Sequence, residues 1–438
     1  MATVAAAPDI GSRVGALRRA AGMTQEGLAD GRFTKQYVSQ IERGEIIPAG
    51  ELLDWLASRL GVERVVLETG LSTPDLERIS ERLAHGQRLL DEHRHVEALE
   101  IFQSLRGSLT HGAPRSAKRS VVRGEAWALI RLGRISEAAD LLGEARSVAD
   151  GPTGTRDEQS EVAYLTAVCC YSLSDITTAQ AEFGRALQLL DEADETDDRL
   201  RLDIHQWRSR CHRRQRDFEA AREDIDRALE LCHALDDVRR RAEVHLQASL
   251  VAERLGRWVL ARRYAETSRD LFEEVGDTVT RGRVLNNLAG LNHSLGVDDV
   301  AVSQLREAFA IFVDAHLEIE AGYVLSSLAE IHREQGDLEE AGVAARRALE
   351  FLEGRIDHIQ EVGTAQLVLA RAHLDQGKLD EAEDLLGVVD ASYAATESVA
   401  HQARSWMTRG ELELLRHNES EAARLYREAA VALQPPDN

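Results

Sequence analysis

An alanine recurs along this chain at positions 98, 138, 179, 221, 261, 301, 341, 382 and 422, at spacings of 40, 41, 42, 40, 40, 40, 41 and 40 residues. It sits in a motif of the form Gly-x-x-x-x-Ala with a large residue four further on. The clearest copies read LGRISEAADLL, LGRWVLARRYA, LGVDDVAVSQL, QGDLEEAGVAA and QGKLDEAEDLL. A second small residue often follows seven positions later, as at Ala145, Ala186, Ala228, Ala308, Ala348 and Ala429. Nine copies in one register are a repeat, and a period of this length marks stacked supersecondary units. Proline says which kind. None occurs from 153 to 434, a run of 282 residues, where ordinary usage would place about fourteen. Proline inside a helix costs about 3 kcal/mol, and Ala, Leu, Glu and Arg, which lose least on entering a helix, dominate here. The chain is therefore expected to be all-α, which excludes a large β-rich domain and a loop-rich secreted scaffold. Each unit reads as two antiparallel helices of about four turns, joined by a glycine turn, with the alanine allowing close approach. The register is weakest in the first copy (Ala98, Phe102, Leu105).

The 438 residues carry 76 acidic and 53 basic side chains, a net charge of −23, which opposes non-specific coating of nucleic acid. The charge is uneven. Residues 10–44 hold Arg13, Arg18, Arg19, Arg32, Lys35 and Arg43 against Glu26, Asp30 and Glu42, a local +3. A small cationic module precedes a large acidic body. No apolar run approaches the roughly 18 residues of a membrane span, and MATVAAAPDI is too short and uncharged for a signal peptide, so a soluble, cytoplasmic protein is expected. Cys169, Cys170, Cys211 and Cys232 form no CxxC pair and lack zinc-site spacing, so reduced, buried cysteines and no metal are expected. No HExxH, GxSxG, Walker loop or dinucleotide fingerprint occurs. Neither enzymatic activity nor a cofactor is expected.

Residues 10–60 parse into four short helices. Gly22 stops the first, whose inner face is Ile10, Val14 and Leu17. Thr24 caps the second, which ends at Gly31. Thr34 caps the third, which ends at Gly44, and Ala49–Leu60 is the fourth. Two short helices around a tight glycine-containing turn describe a helix-turn-helix. In Ile10, Arg13, Leu17, Arg18, Gly22, Thr24-Gln25, Leu28-Ala29, Tyr37-Val38-Ser39, Ile41-Glu42-Arg43-Gly44 and Pro48 the segment resembles the Xre/Cro-type DNA-binding family, with a lambda-repressor-like fold. Its turn, Asp30 to Phe33, is one residue shorter than the family's common form. With Val38 and Ile41 inward, Lys35, Gln36, Ser39 and Gln40 face out toward base edges in the major groove, where lysine suits guanine and glutamine suits adenine. Thr34 leads into that face. The resemblance places Gln25 beside a phosphate, where it also braces the third helix; Arg13, Tyr37 and Arg43 are further phosphate candidates. Arg18 with Glu42 is expected to be a structural ion pair.

The repeats resemble a tetratricopeptide (TPR) array in a form of about 40 residues, which implies a right-handed superhelix of about nine helix pairs with the first helices lining a groove. The second, fifth, ninth and twelfth positions of each first helix are expected to point inward. Those positions offer Arg123, Trp127, Tyr164, Tyr171, Gln206, Arg210, Arg213, Glu253, Asn286, His293, Tyr323, Ser326, Arg333 and Arg371 as ligand contacts. Asparagine amides and arginine forks suit a peptide's backbone and carboxylates. Trp207, Trp258 and Trp406 are expected in the core, and RSRCHRRQR (208–216) as an ion-pairing face. The domain expectation is 1–60 for the DNA reader, 61–80 for a hinge-bearing linker broken by Gly70 and Pro74, and 81–434 for a sensing and dimerising array. Reader and array together resemble the RRNPP-type regulators, bacterial receptors that couple signalling-peptide (quorum-sensing) binding to transcription. That resemblance implies a homodimer on a double-stranded operator, with a peptide or protein ligand in the groove. Two alternatives stay open: an interaction scaffold localised by its reader, and a ligand-independent dimeric repressor.

Overall fold

The computed structural model describes residues 10–109, 113–193, 196–352, 359–395 and 399–433, and every regular element among them is helical. Pro435-Pro436, expected to close the array, lies outside the described residues. The chain divides into two compact units, Met1–Cys211 and His212–Asn438.

The first unit opens with α1 (Ile10–Ala20), α2 (Gln25–Ala29), α3 (Lys35–Glu42), α4 (Glu51–Leu60) and α5 (Arg64–Thr69). The helix starts follow from their caps. Thr24 accepts from the Gly27 amide at 3.0 Å and Thr34 from the Tyr37 amide at 3.1 Å, satisfying amides that a helix start leaves free. Val14, Leu28, Val38, Ile41, Leu53, Leu56 and Leu67 form the core. α1 crosses α3 so closely that a Cβ on Gly11 would sit 2.0 Å from the Ile41 carbonyl oxygen. Leu67 corrects the expected boundaries. It is fully buried in the reader's core, so the stretch 61–80 is not a plain linker. It contains α5, which completes the reader, and the beginning of the first repeat. The break falls between Gly70, in the left-handed region at φ 78°, and Ser72, whose capping box with Asp75 starts the next helix with Pro74 in its first turn.

That helix, α6 (Thr73–Asp91), pairs with α7 (His95–Ser108). α8 (Arg115–Arg131) pairs with α9 (Ile135–Ala149), and α10 (Arg156–Ser172) with α11 (Ile176–Asp191). α12 (Asp198–Arg214) runs across the division between the units, and α13 (Phe218–Ala234) follows it. In the second unit the pairs are α14 (Val238–Arg254) with α15 (Trp258–Glu274), α16 (Thr278–Ser294) with α17 (Asp298–Asp314) and α18 (Glu318–Gln335) with α19 (Leu338–Leu352). α20 (Ile359–Asp375) with α21 (Leu379–Ala395) and α22 (Val399–Leu415) with α23 (Glu419–Ala432) complete it.

The repeat alanine is the fourth residue of every second helix from α7 to α23, and none of the nine is more than 1% exposed. Five residues before each alanine the chain turns through a left-handed residue. Glycine fills that position at 133, 256, 296, 336 and 377, but His93, Ser174, Arg216 and His417 occupy it at φ 60–65°. A Cβ in this conformation costs about 1–2 kcal/mol. His93→Gly and His417→Gly are therefore each expected to stabilise the protein by about 0.5–1 kcal/mol, after the looser unfolded chain is discounted. Thermal or urea melts check this, and an unchanged or lower midpoint contradicts it. Conversely, Ala261→Leu is expected to cost about 2 kcal/mol by overpacking the α14–α15 contact.

Candidate nucleic-acid interface and inner helix face

The third helix is held from behind by one carboxylate. Glu42 takes Arg18 Nε at 2.5 Å and Nη2 at 3.2 Å, and Gln25 Nε2 donates to it at 2.8 Å. Arg18 also donates to the Met23 carbonyl at 2.6 Å. Burial alone would raise the Glu42 pKa; the hydrogen bonds from Arg18 and Gln25 and the charges of Arg18 and Arg19 outweigh it and hold the carboxyl low. The expected Arg18–Glu42 pair is present, and Gln25 is the brace that joins α2 to α3.

With its back fixed, α3 presents the residues expected outside. Lys35 and Gln36 are exposed and Ser39 and Gln40 half-exposed, while Val38 and Ile41 are buried. None of those four outward side chains makes a hydrogen bond or ion pair among the described residues. Thr34 is exposed and committed to its cap. Tyr37 stacks on Phe33 at 5.1 Å, Phe33 meets Trp55 edge-on at 5.2 Å, and Arg32 lies over both rings of that edge pair. Arg43 is exposed and pairs only with Glu45 among the described residues. Arg13 is different. Its Nε donates to the Leu67 carbonyl at 2.8 Å and its Nη2 to that of Glu68 at 2.6 Å. The guanidinium caps the C-terminus of α5, a role invisible while 61–80 read as linker.

In the array, the groove candidates divide. Tyr164, Gln206 and Ser326 are buried, at 4%, 2% and 4% exposure, which corrects their assignment to an open face. Several of the expected inward residues instead link one first helix to the next. In the second unit His293 is clamped on both sides: Nδ1 lies 2.7 Å from Asp298 and Nε2 2.9 Å from Glu334. Arg333 pairs with Glu330 at 3.1 Å and Asp375 at 3.0 Å; Arg371 reaches the same Glu330 at 2.8 Å and Thr408 at 3.3 Å. Asn287, missed by the register, donates to Glu253 at 3.3 Å and accepts from Ser249 at 3.1 Å. The Oδ1 of its neighbour Asn286 is shielded and has no hydrogen-bond partner among the described residues. Tyr323 is 48% exposed.

In the first unit Arg123 pairs with Glu161 at 3.1 Å, and Arg119 meets the same carboxylate at 3.0 Å. Burial pushes the Glu161 carboxyl up, against the pull of both arginines. Trp127, Tyr171 and Trp207 are half-buried around one another, and Arg210 lies 4.3 Å from the Trp207 ring centre. Arg213, in the second unit, is half-buried. Trp207 is half-buried and packed against the first unit's core, whereas Trp258 departs from the core expectation, 39% exposed at the start of α15. Trp406 is half-buried. Cys169, Cys211 and Cys232 are buried and Cys170 half-buried, all as free thiols; burial, with the neighbouring Cys170, pushes Cys169 up to about 12. Among the described residues no group of His, Cys, Asp and Glu is arranged to hold a metal, and no helix is long and apolar enough to cross a membrane.

A family model described as Helix-turn-helix matches residues 14–67. Residues 14–67 are a helix-turn-helix domain. Its end at 67 agrees with the burial of Leu67 rather than with a boundary at 60. No curated protein matches the sequence. The fold of the helix-pair body is shared with solved structures. The apo form of the quorum sensor NprR from B. thuringiensis superimposes with a TM-score of 0.60 at 13% identity, over 82% of this chain and 99% of that one. NprR in complex with its cognate peptide NprX gives 0.51 at 13%, over 81% and 98%. Aspartyl phosphate phosphatase F from Bacillus subtilis gives 0.55 at 13%, over 81% and 94%. These are the repeated helix pairs that the alanine register predicts.

Two outcomes are expected from this geometry. Glu42→Ala should destabilise the reader by about 3 kcal/mol, because it strands a largely buried guanidinium, and the melting of isolated and full-length chains reads this out. The second concerns pH. Burial opposes the His293 imidazolium, but the Asp298 hydrogen bond and the Glu334 charge win and raise its pKa. A raised folded pKa gives stability that is complete below the ordinary histidine value and is lost as pH rises through the raised one. His293→Gln should remove that loss from a stability–pH profile, and a profile that keeps it refutes the assignment.

Proposed function

We propose that the protein is a sequence-specific transcriptional regulator that reads a double-stranded operator with α3 and senses a short peptide on the inner face of its helix pairs. The observation that carries the reading is the unpartnered set Lys35, Gln36, Ser39 and Gln40 on the outer face of a helix that Glu42 locks from behind. Glutamine and lysine at the start of such a helix meet adenine and guanine edges in the major groove. Exposed Arg43 and half-buried Tyr37 at the margins suit phosphates, as does the helix end capped by Thr34. Arg13 contributes by holding α5 against the reader.

The peptide part rests on fold likeness. NprR, which has this fold, is solved with its cognate peptide. The inner-face Asn286 amide and Arg210 guanidinium have the chemistry to take a peptide's backbone and carboxylates. A ligand acts by binding one arrangement of two readers better than another, so the working form is a homodimer on half-sites about 34 Å apart, in the cytoplasm where the operator is. One protein of this fold is a phosphatase; the helix-turn-helix domain favours the regulator over an enzyme here.

Gln36→Ala combined with Gln40→Ala should abolish preference for the operator over random DNA while leaving the melting temperature unchanged. A gel-shift titration at fixed salt decides it, and undiminished preference refutes the assignment. Lys35→Ala should weaken specific binding more than non-specific binding.

A further inference from the structure

Four rings gather on the first helices of the first unit. Trp127 on α8 and Trp207 on α12 stand 6.0 Å apart, although α10 runs between their helices. Two helices flanking a third can bring side chains together only across its face, so this pair spans the face of α10 that carries Tyr171. Tyr171 of α10 closes on Trp207 edge-on at 5.3 Å, and Tyr164 backs Trp127 at 6.4 Å. The repeat does not require aromatic groups here. At the register position of Trp127, eleven residues before the alanine, other repeats carry Arg210, Glu330, Arg371 and Glu411; at that of Tyr171 they carry Glu253, His293 and Arg333.

Polar groups complete the shelf. The guanidinium carbon of Arg210 lies 4.3 Å from the centre of the Trp207 ring, and among the described residues Arg210 makes no ion pair and its Nε no hydrogen bond. Arg333 and Arg371, at inner positions of other repeats, are instead tied to Glu330. Gln206, four residues before Arg210 and on the same helix face, is 2% exposed, and its Nε2 has no hydrogen-bond partner among the described residues. A buried donor without an acceptor is unfavourable, and a guanidinium that pairs with no carboxylate of its own chain keeps its terminal nitrogens for another.

We propose that this shelf takes a peptide segment in which an aromatic or branched aliphatic side chain adjoins a carboxylate. The side chain packs on Trp127, Tyr171 and Trp207, and the carboxylate accepts from Arg210. This deepens the peptide-sensor reading and rests on it. The carboxylate is either the peptide's C-terminus or an Asp or Glu side chain.

The test uses the full chain and pools of N-acetylated hexapeptides, made both as free acids and as C-terminal amides, retained by equilibrium dialysis and identified by mass spectrometry. Retained peptides are expected to carry an aromatic or branched residue next to a carboxylate. Removing that carboxylate, by amidation if it is terminal or by Asp→Asn or Glu→Gln if it is a side chain, should weaken binding by about tenfold or more. Arg210→Gln should cause the same loss and make the carboxylate irrelevant, with helix content and melting temperature unchanged. Trp207→Leu should weaken every retained peptide. Peptides held equally by wild type and Arg210→Gln, with or without their carboxylate, overturn this proposal and leave the peptide sensor standing. Retention of no peptide overturns both.

Discussion

The closeness of the two helices in each pair is the constraint on which the body of this protein depends. Nine alanines at the fourth position of the second helices are all buried, and a larger side chain would push each pair apart. Because stacked pairs bury a continuous core, a widened pair would tilt its neighbours as well. The left-handed residue five positions earlier sets the angle at which the second helix returns. It recurs at all nine turns, including the four without glycine, so the geometry is kept even where it carries steric strain.

With the pairs fixed in this way, the inner face is free to vary. In the second unit it is an ion-pair lattice in which Glu330 serves Arg333 and Arg371 and His293 joins two carboxylates. In the first unit the Arg119 and Arg123 pairs with Glu161 give way to a ring cluster, where Arg210 meets Trp207 and no carboxylate among the described residues. Groups tied into a lattice rigidify neighbouring helices, whereas an unpaired cation on a ring keeps its hydrogen-bonding capacity for something else. The reader follows the same division of labour: Glu42 uses up Arg18 and Gln25 behind α3, and the front of α3 stays uncommitted.

Most of the architecture was legible because it rests on short-range rules. Helix caps at Thr24 and Thr34, the glycine stops and the alanine register depend on residues within a turn or two of one another. The Arg18–Glu42 pair was legible through resemblance. The failures have a common cause. Leu67 reads as part of a linker until the core it enters is assembled, and Arg13 then caps α5 instead of reaching for phosphate. Tyr164, Gln206 and Ser326 occupy the expected inward positions but are buried: Tyr164 packs into the core against Phe183, and the Ser326 hydroxyl donates to the Gly322 carbonyl of its own helix.

By itself, then, the sequence determined that the chain is helical, that its body repeats every 40 residues or so, and which face of α3 looks outward. Each of these is a periodicity or a cap, and periodicity is written in consecutive residues. Only the tertiary structure decided which charged and aromatic groups remain unspent. Arg210 and Arg371 stand at the same register position, yet one lies on an indole and the other on a carboxylate. Their partners come from neighbouring positions and adjacent helices, some of them about 40 residues away in the chain, and local pattern carries no information about which of these they meet.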